Sequence, residues 1–138
     1  MVLRLAEQYL IRAEASIQKG DIAGGIADLN TIRARARAAG TTAVPNPLPA
    51  LSSTLSKNDA LLALEHERQV ELFTELGDRW LTLKRLKGLS NPGISRADEI
   101  MPDIATAKGG TWSTNDQLYP ISLIELNSDS KLTQNPGY

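Results

Sequence analysis

The sequence predicts an all-α fold. Apolar residues recur at intervals of three and four along residues 5–36 and again after residue 60, which is the period of a helix that buries one face. Residues that commonly begin or end helices stand at the edges of these stretches, namely Gly20, Asp21 and Ser56. A chain of 138 residues is long enough for one domain with a real core. We expect residues 1–138 to form a single domain with four parts: a helical hairpin (1–40), a proline-rich loop (41–56), a charged broken helix (57–87) and a loop-rich tail (88–138).

Residues 1–40 are predicted to form two antiparallel helices. The expected buried faces are Leu5, Ala6, Tyr9, Leu10, Ala13 and Ile17 in the first helix, and Ile22, Ile26, Leu29, Ile32 and Ala36 in the second. Gly20 is expected to end the first helix, Asp21 to cap the second and Gly40 to end it. The connection at Lys19-Gly20-Asp21 is so short that the second helix must fold back on the first.

This hairpin resembles a tetratricopeptide-type repeat. Tyr9 stands where that motif has a large aromatic residue, and Ala13 and Gly25 stand at its small positions. The match is partial, because Arg12 falls where a leucine is usual and no proline closes the unit. One such repeat cannot bury its face alone, so the resemblance implies that it stacks on neighbours.

The second helical stretch follows a loop that contains Pro45, Pro47 and Pro49, which exclude a regular helix. Ser56 and Asp59 form a capping-box pattern, so a helix is expected to start near residue 57. We expect its apolar side to carry Leu62, His66, Gln69, Val70, Phe73 and Leu76. After a break at Gly77, a short helix is expected to turn Trp80, Leu83 and Leu86 inward.

Glutamates crowd the long helix at steps of four. Glu67, Glu71 and Glu75 would place like charges on one face unless cations intervene. Arg68 and Arg79 stand at suitable spacings to pair with Glu71 and Glu75. One interpretation is a carboxylate pair for acid and base chemistry, as in a glycosidase. We favour a structural network in which Arg79 lies beside Glu71 or Glu75 and fixes the angle between the two helices.

Composition removes several classes of function. The charges nearly cancel, with 15 Lys and Arg against 16 Asp and Glu, so we expect no nucleic-acid partner, and Arg33, Arg35 and Arg37 are assigned to a helix C-terminus. There is no cysteine, and His66 beside Glu67 lacks the second histidine of a zinc-binding HExxH motif. We therefore expect no metal, no other cofactor and no catalytic residue. No apolar run reaches the length of a membrane-spanning helix.

The tail beyond residue 88 is expected to be mostly loop. It contains a possible helical turn at residues 96–100, and the Ser122 capping box predicts a short helix through Leu126. Tyr119 and Tyr138 are expected to anchor the tail by packing.

The two tryptophans have different patterns around them. Trp80 shares helical spacing with apolar neighbours and is expected in the core, whereas Trp112 lies in a Gly- and Ser-rich stretch without a periodic partner. Because sugar rings stack on indoles, Trp112 is a weak candidate for ligand contact. The alternative is that Trp112 fills a gap beneath the loop.

Three separated stretches, in order, resemble the C-terminal part of a SusD/RagB-family protein. The first runs from Leu3 to Ala15 with Leu29-Asn30 and Arg33–Ala36 after it. The second contains Glu67-Arg68, Glu71-Leu72, Glu75, Gly77, Arg79-Trp80 and Leu83–Arg85. The third contains Tyr119-Pro120-Ile121, Glu125, Asn127 and the closing Gln134-Asn135-Pro136-Gly137-Tyr138. Gln69 and Ser122 depart from the family pattern, where a second arginine and a second proline are common.

The resemblance implies a noncatalytic lipoprotein of the outer-membrane surface. Such a protein binds oligo- or polysaccharides, or other nutrients, and delivers them to a TonB-dependent, SusC-like transporter barrel. Family members are several times longer, so the chain is expected to be a scaffold part of one, with the lipid-bearing cysteine in the missing N-terminal part. No sugar-contacting residue is carried over. The competing interpretation is a helical-repeat interaction module unrelated to nutrient uptake.

Overall fold

A computed structural model describes residues 4–138, and its regular structure is helical. The helices are α1 (Leu5–Lys19), α2 (Ile22–Ala36), α3 (Lys57–Glu71), α4 (Asp78–Arg85), α5 (Arg96–Ala107) and α6 (Leu123–Ser128), with a 3₁₀ helix at Thr114–Gln117. No β-strand occurs in the described residues, where Lys87 and Ser95 form an isolated antiparallel bridge. The predicted all-α class is confirmed.

The chain divides into two compact units, Met1–Arg79 and Trp80–Tyr138, and the division falls within α4. In the first unit α1, α2 and α3 pack against one another. Gly20 ends α1 in the left-handed region at φ 94°, and the Asp21 carboxylate accepts a hydrogen bond from the Gly24 N–H at 2.9 Å. The predicted hairpin therefore forms through the predicted turn.

Close contact between α1 and α2 depends on Gly25. A Cβ atom at this position would lie 2.5 Å from Ile17 Cγ1 and 2.9 Å from the Ala13 carbonyl oxygen. These distances are shorter than van der Waals contact, so the helices approach each other only because the side chain is absent. The largest fully buried side chains of the described residues all lie on α1, α2 and α3, namely Leu10, Ile17, Ile26, Leu29 and Leu64.

Three predictions for the ends of the hairpin helices are wrong: the burial of Leu5, the burial of Ala36 and the end of the second helix at Gly40. Leu5 was expected in the core but is 73% exposed, because the buried side of α1 is the side that carries Ala6, Leu10 and Ala13. The second helix ends at Ala36, which is exposed, and does not continue to Gly40. The backbone turns extended at the next residue, where the chain leaves to form the loop.

Side chains of α2 hold the second half of the loop. Asn30 pairs with Leu51 in both directions: its Nδ2 donates to the carbonyl at 3.0 Å, and its Oδ1 accepts from the N–H at 2.8 Å. Arg33 donates to the Pro49 carbonyl at 2.8 Å, and Arg37 donates to the Leu48 carbonyl at 2.8 Å. The backbone of this part of the loop is thus hydrogen-bonded by one side-chain amide and two guanidinium groups.

The predicted inner face of α3 is wrong. Leu62, His66, Gln69, Val70, Phe73 and Leu76 are all exposed. The buried residues of α3 are Ala60, Leu61, Leu64, Glu65, Glu67 and Arg68. The helix starts at Lys57 under the Ser56 cap, as predicted, but ends at Glu71, six residues before Gly77. Thr74, Leu76 and Gly77 all have positive φ in the turn that follows.

The second unit has more helix than the sequence predicted. The expected turn at residues 96–100 is α5, which has 12 residues and includes Pro102. Ser95 caps it by accepting a hydrogen bond from the Asp98 N–H at 3.1 Å, and the two residues form an S-x-x-D capping pattern. The predicted helix after Ser122 is present as α6.

The tail is held by hydrogen bonds rather than by the predicted packing of its tyrosines. Tyr119 and Tyr138 are both exposed. Gln134 pairs with the Ile121 backbone in both directions, at 2.7 and 2.9 Å. The Asn135 amide donates to the Tyr119 carbonyl at 2.7 Å. The tail is thus fixed by contacts to backbone groups.

We predict that Gly25→Ala lowers the free energy of unfolding by about 1–3 kcal/mol, because the new methyl group forces α1 and α2 apart. Where no close contact opposes it, a Gly→Ala change inside a helix raises the free energy of unfolding by up to about 1 kcal/mol. A loss of stability would therefore indicate the close contact between α1 and α2. Urea denaturation measures it, with Ala27→Ser on the exposed side of α2 as the control. A stabilised Gly25→Ala variant would show that the contact is looser than described.

Candidate functional site

The charged residues of α3 lie against arginines from α1 and α2. Arg33 of α2 forms a salt bridge with Glu67, and the two side chains are only 9% and 10% exposed. A buried ion pair that loses one partner leaves an unpaired charge in a medium of low polarity. Glu67 is therefore held as a structural carboxylate.

Glu71 lies between two cations. Arg4 donates to one carboxylate oxygen at 2.7 Å, and Arg35 is paired with the other. Arg4 also forms a salt bridge with Glu75. Three parts of the chain thus meet at one carboxylate, which explains why closely spaced glutamates are tolerated on α3.

The predicted pairings within the charged helix are wrong. Arg68 forms a salt bridge with Asp78 and not with Glu71, and Arg79 donates to Glu65 at 2.9 Å and not to Glu71 or Glu75. Both pairs still join α3 to the start of α4, as the structural interpretation required. The three glutamates at steps of four do not converge as an acid and base pair, since each is matched by an arginine.

The other charged candidates also have structural positions. His66 is exposed on α3, and no cluster of three metal-ligating side chains occurs in residues 4–138. Arg33, Arg35 and Arg37 contact a glutamate or loop carbonyls. These contacts join α2 to α3 and to the loop.

The only ligand candidate taken from the sequence, Trp112, contacts other residues of the second unit. Its ring meets Trp80 edge to face, with centroids 6.0 Å apart and planes at 89°. Its Nε1 donates to Asp98 at 3.1 Å, and Lys84 Nζ lies 5.4 Å from the Trp80 ring centroid. Trp80 and Trp112 are both partly exposed. This arrangement favours the gap-filling interpretation, while the exposed part of Trp112 leaves room for a ligand.

Asp98 organises the residues around Trp112. Its burial raises the pKa of the carboxyl group, but hydrogen bonds from Gln117, Trp112, Ser95 and Thr114 lower it further, so the pKa lies below its ordinary value. The Gln117 amide approaches to 2.6 Å. Sequence reasoning missed this role, although the Ser95 capping pattern marked Asp98.

The neighbouring Glu99 binds the loop that precedes α5. The N–H groups of Leu89 and Ser90 donate to its two carboxylate oxygens at 2.8 and 2.6 Å, and Arg96 pairs with it from the same helix. Burial raises the pKa of Glu99, but these hydrogen bonds outweigh burial and lower the pKa to about 2. Glu99 is therefore ionised and structural over the physiological range of pH.

Two shallow depressions mark the outer side of the hairpin. One, of about 380 Å³, is lined by residues of α1 that include Leu5, Tyr9, Ile11 and Arg12. The other, of about 290 Å³, lies between α1 and α2. Arg12 is held over the Tyr9 ring at 5.1 Å while it forms two hydrogen bonds with Asp28, at 2.7 and 2.8 Å. Arg12, which departs from the repeat pattern, thus gives this surface a fixed cation.

The α1–α2 hairpin is a tetratricopeptide-like helical scaffold, because its two antiparallel helices meet closely at the small residue Gly25. A family model for the SusD family, SusD_RagB, matches residues 1–138, the whole chain. The chain belongs to the SusD family, which confirms the resemblance that the sequence showed. Membership supports a general role in binding glycans or other nutrients at a surface. No curated protein and no solved structure matches the chain.

Within residues 4–138 no helix has both the length and the apolarity required to cross a bilayer.

We predict that Arg33→Met and Glu67→Met each lower the free energy of unfolding by about 3–5 kcal/mol, because each leaves a buried unpaired charge. The double variant is expected to lose much less than the sum of the two, since it leaves neither charge. Urea unfolding of all four proteins gives the coupling energy.

The control is Arg37→Met, which removes an exposed arginine that donates to the Leu48 carbonyl, with an expected effect below about 1 kcal/mol. Additive losses at Arg33 and Glu67 would contradict a direct interaction between them.

Proposed function

We propose that this chain is a scaffold part of a noncatalytic surface lipoprotein of the outer membrane, which binds an oligo- or polysaccharide and delivers it to a TonB-dependent, SusC-like transporter. The observation that carries this proposal is the SusD-family match over all 138 residues. In this proposal a lipid anchor outside the present chain provides the attachment to the membrane. The chain supplies helical surfaces and takes part in no chemical step.

The outer face of the α1–α2 hairpin is the proposed docking surface for the transporter. Leu5 and Ile11 are exposed apolar residues that line the larger depression, and Arg12, which also lines it, is held by Asp28. An apolar surface with a fixed charge suits a protein partner better than a sugar, which needs converging polar groups. The opposite side of α1 is already buried.

Trp112 is the proposed point of glycan contact, as a minor part of the function. The indole Nε1 is occupied by Asp98, so a sugar would meet the exposed part of the ring rather than the N–H group. Stacking of C–H groups on an indole face requires no free hydrogen-bond donor.

A helical-repeat interaction module unrelated to nutrient uptake is the second candidate. The same hairpin surface favours it, because tetratricopeptide-like hairpins commonly serve as protein-binding scaffolds. The two candidates differ in the partner: the first requires a transporter barrel and a glycan, and the second requires neither.

We expect Leu5→Glu/Ile11→Glu, introduced into the full-length protein, to weaken association with its transporter at least about tenfold, because two apolar contacts are replaced by charges that must be desolvated. Co-purification of the complex and biolayer interferometry measure the change. Leu62→Glu/Val70→Glu is the matched control, since it places the same charges at exposed apolar positions of α3. Unchanged association in the hairpin variant would exclude this face as the docking surface.

We expect Trp112→Ala in the full-length protein to weaken binding of its oligosaccharide ligand about tenfold, as measured by isothermal titration calorimetry. Trp112→Phe retains an aromatic face and is expected to bind at an intermediate level. Because the substitution also removes the contact with Asp98, the melting temperature of each variant is measured in parallel. Unaltered glycan affinity in Trp112→Ala would assign this residue to packing alone.

A further inference from the structure

The two units bury very different amounts of apolar side chain. Among the described residues, Leu83 and Ala97 are the only buried apolar side chains of residues 80–138, and all the others lie in the first unit. Residues 118–138, all of them described, include no buried residue. Removal of apolar surface from water is the main force that folds a chain. The second unit therefore has little of this stabilisation.

Hydrogen bonds to two carboxylates join distant parts of the second unit. Asp98 accepts from the side chains of Trp112 and Gln117, which lie 14 and 19 positions further along the chain. Glu99 accepts from backbone N–H groups of the loop before α5. A hydrogen bond adds little net free energy, because the unfolded chain forms similar bonds with water. Such contacts offset only a small part of the conformational entropy that ordering the chain costs.

The start of α4 belongs to the first unit because salt bridges hold it there. Asp78 pairs with Arg68 of α3, and Arg79 donates to Glu65 of the same helix at 2.9 Å. These two residues are the first of α4, and the division between the units follows directly after them. Residues up to Arg79 are therefore expected to stay folded when later residues open.

We propose that residues 80–138 are a conformational device that opens and closes as one unit while the first unit stays folded. Sub-global opening occurs in regions with few buried apolar contacts. The opening breaks the hydrogen bonds of Asp98 and separates Trp80 from Trp112, whose rings meet in the closed form. A ligand that needs this arrangement binds only the closed form and shifts the equilibrium towards it. The opening itself does not depend on the proposed transporter or glycan.

The test is native-state hydrogen exchange of the 138-residue chain, followed at single amides by NMR at increasing urea concentrations. The amides of Met101 and Asp103 in α5 are expected to have protection factors at least about 100-fold below those of Leu10 in α1 and Leu29 in α2. The Leu89 amide, which donates to Glu99, is expected to share the urea dependence of the α5 amides. A common dependence distinguishes opening of the whole unit from fraying of α5 alone.

Asp98→Ala removes the carboxylate that joins α5 to Trp112. It is expected to lower the α5 protection factors at least about tenfold and to leave those of α1 and α2 unchanged. Gln117→Ala, which removes one of these hydrogen bonds without changing α5, is expected to act in the same direction. Asp103→Ala is the matched control, because it removes the same charge from an exposed position of the same helix. Its expected effect on the Met101 amide is below about threefold.

Ile26→Val tests the reverse direction, because Ile26 is fully buried on α2. It is expected to lower the α1 and α2 protection factors about three- to tenfold and to leave those of α5 unchanged. Equal protection of α5, α1 and α2 in the wild type would overturn the proposal, and so would a loss of α1 and α2 protection in Asp98→Ala. Complete loss of α5 protection in Asp98→Ala, with α1 and α2 still protected, would support it.

Discussion

The salt bridge between Arg33 and Glu67 is the interaction on which the first unit depends. Both groups are removed from water, and their mutual attraction must offset a desolvation cost of several kcal/mol for each ion. Arg33 uses its remaining donors on the Pro49 carbonyl, so one guanidinium joins α2, α3 and the loop between them. Such a pair adds less to net stability than an apolar contact of similar volume. Loss of either partner leaves a buried unpaired charge.

This constraint explains why the buried face of α3 mixes apolar and charged residues. Beside Leu61 and Leu64, the helix buries Glu65, Glu67 and Arg68, while Leu62 and Val70 are exposed. The carboxylates are buried because arginines reach them from neighbouring helices.

Local signals in the sequence were enough for the elements whose ends are set by capping. Gly20, Asp21, Ser56 and Ser122 act where they were expected, since a cap depends only on residues within one turn. Burial was predicted well for the hairpin and wrongly for α3, because the pairing of its charges is decided by residues 10 to 67 positions away. The candidate site shows the same limit. The sequence singled out Trp112, but its contact with Asp98 joins residues 14 positions apart, which no local pattern reveals.

The link between Asn30 and Leu51 divides the loop after α2 into two halves with different freedom to vary. Residues 48–51 are bound to α2 through their backbone groups, so a change of length there would shift every hydrogen bond out of register. Residues 41–47 are exposed and are held by a turn in which the Thr41 N–H donates to the Val44 carbonyl at 2.9 Å. Lengthening an exposed loop costs only about 0.6 kcal/mol for each doubling. Insertions that diversify this protein without disturbing its helices are therefore accommodated between α2 and residue 48.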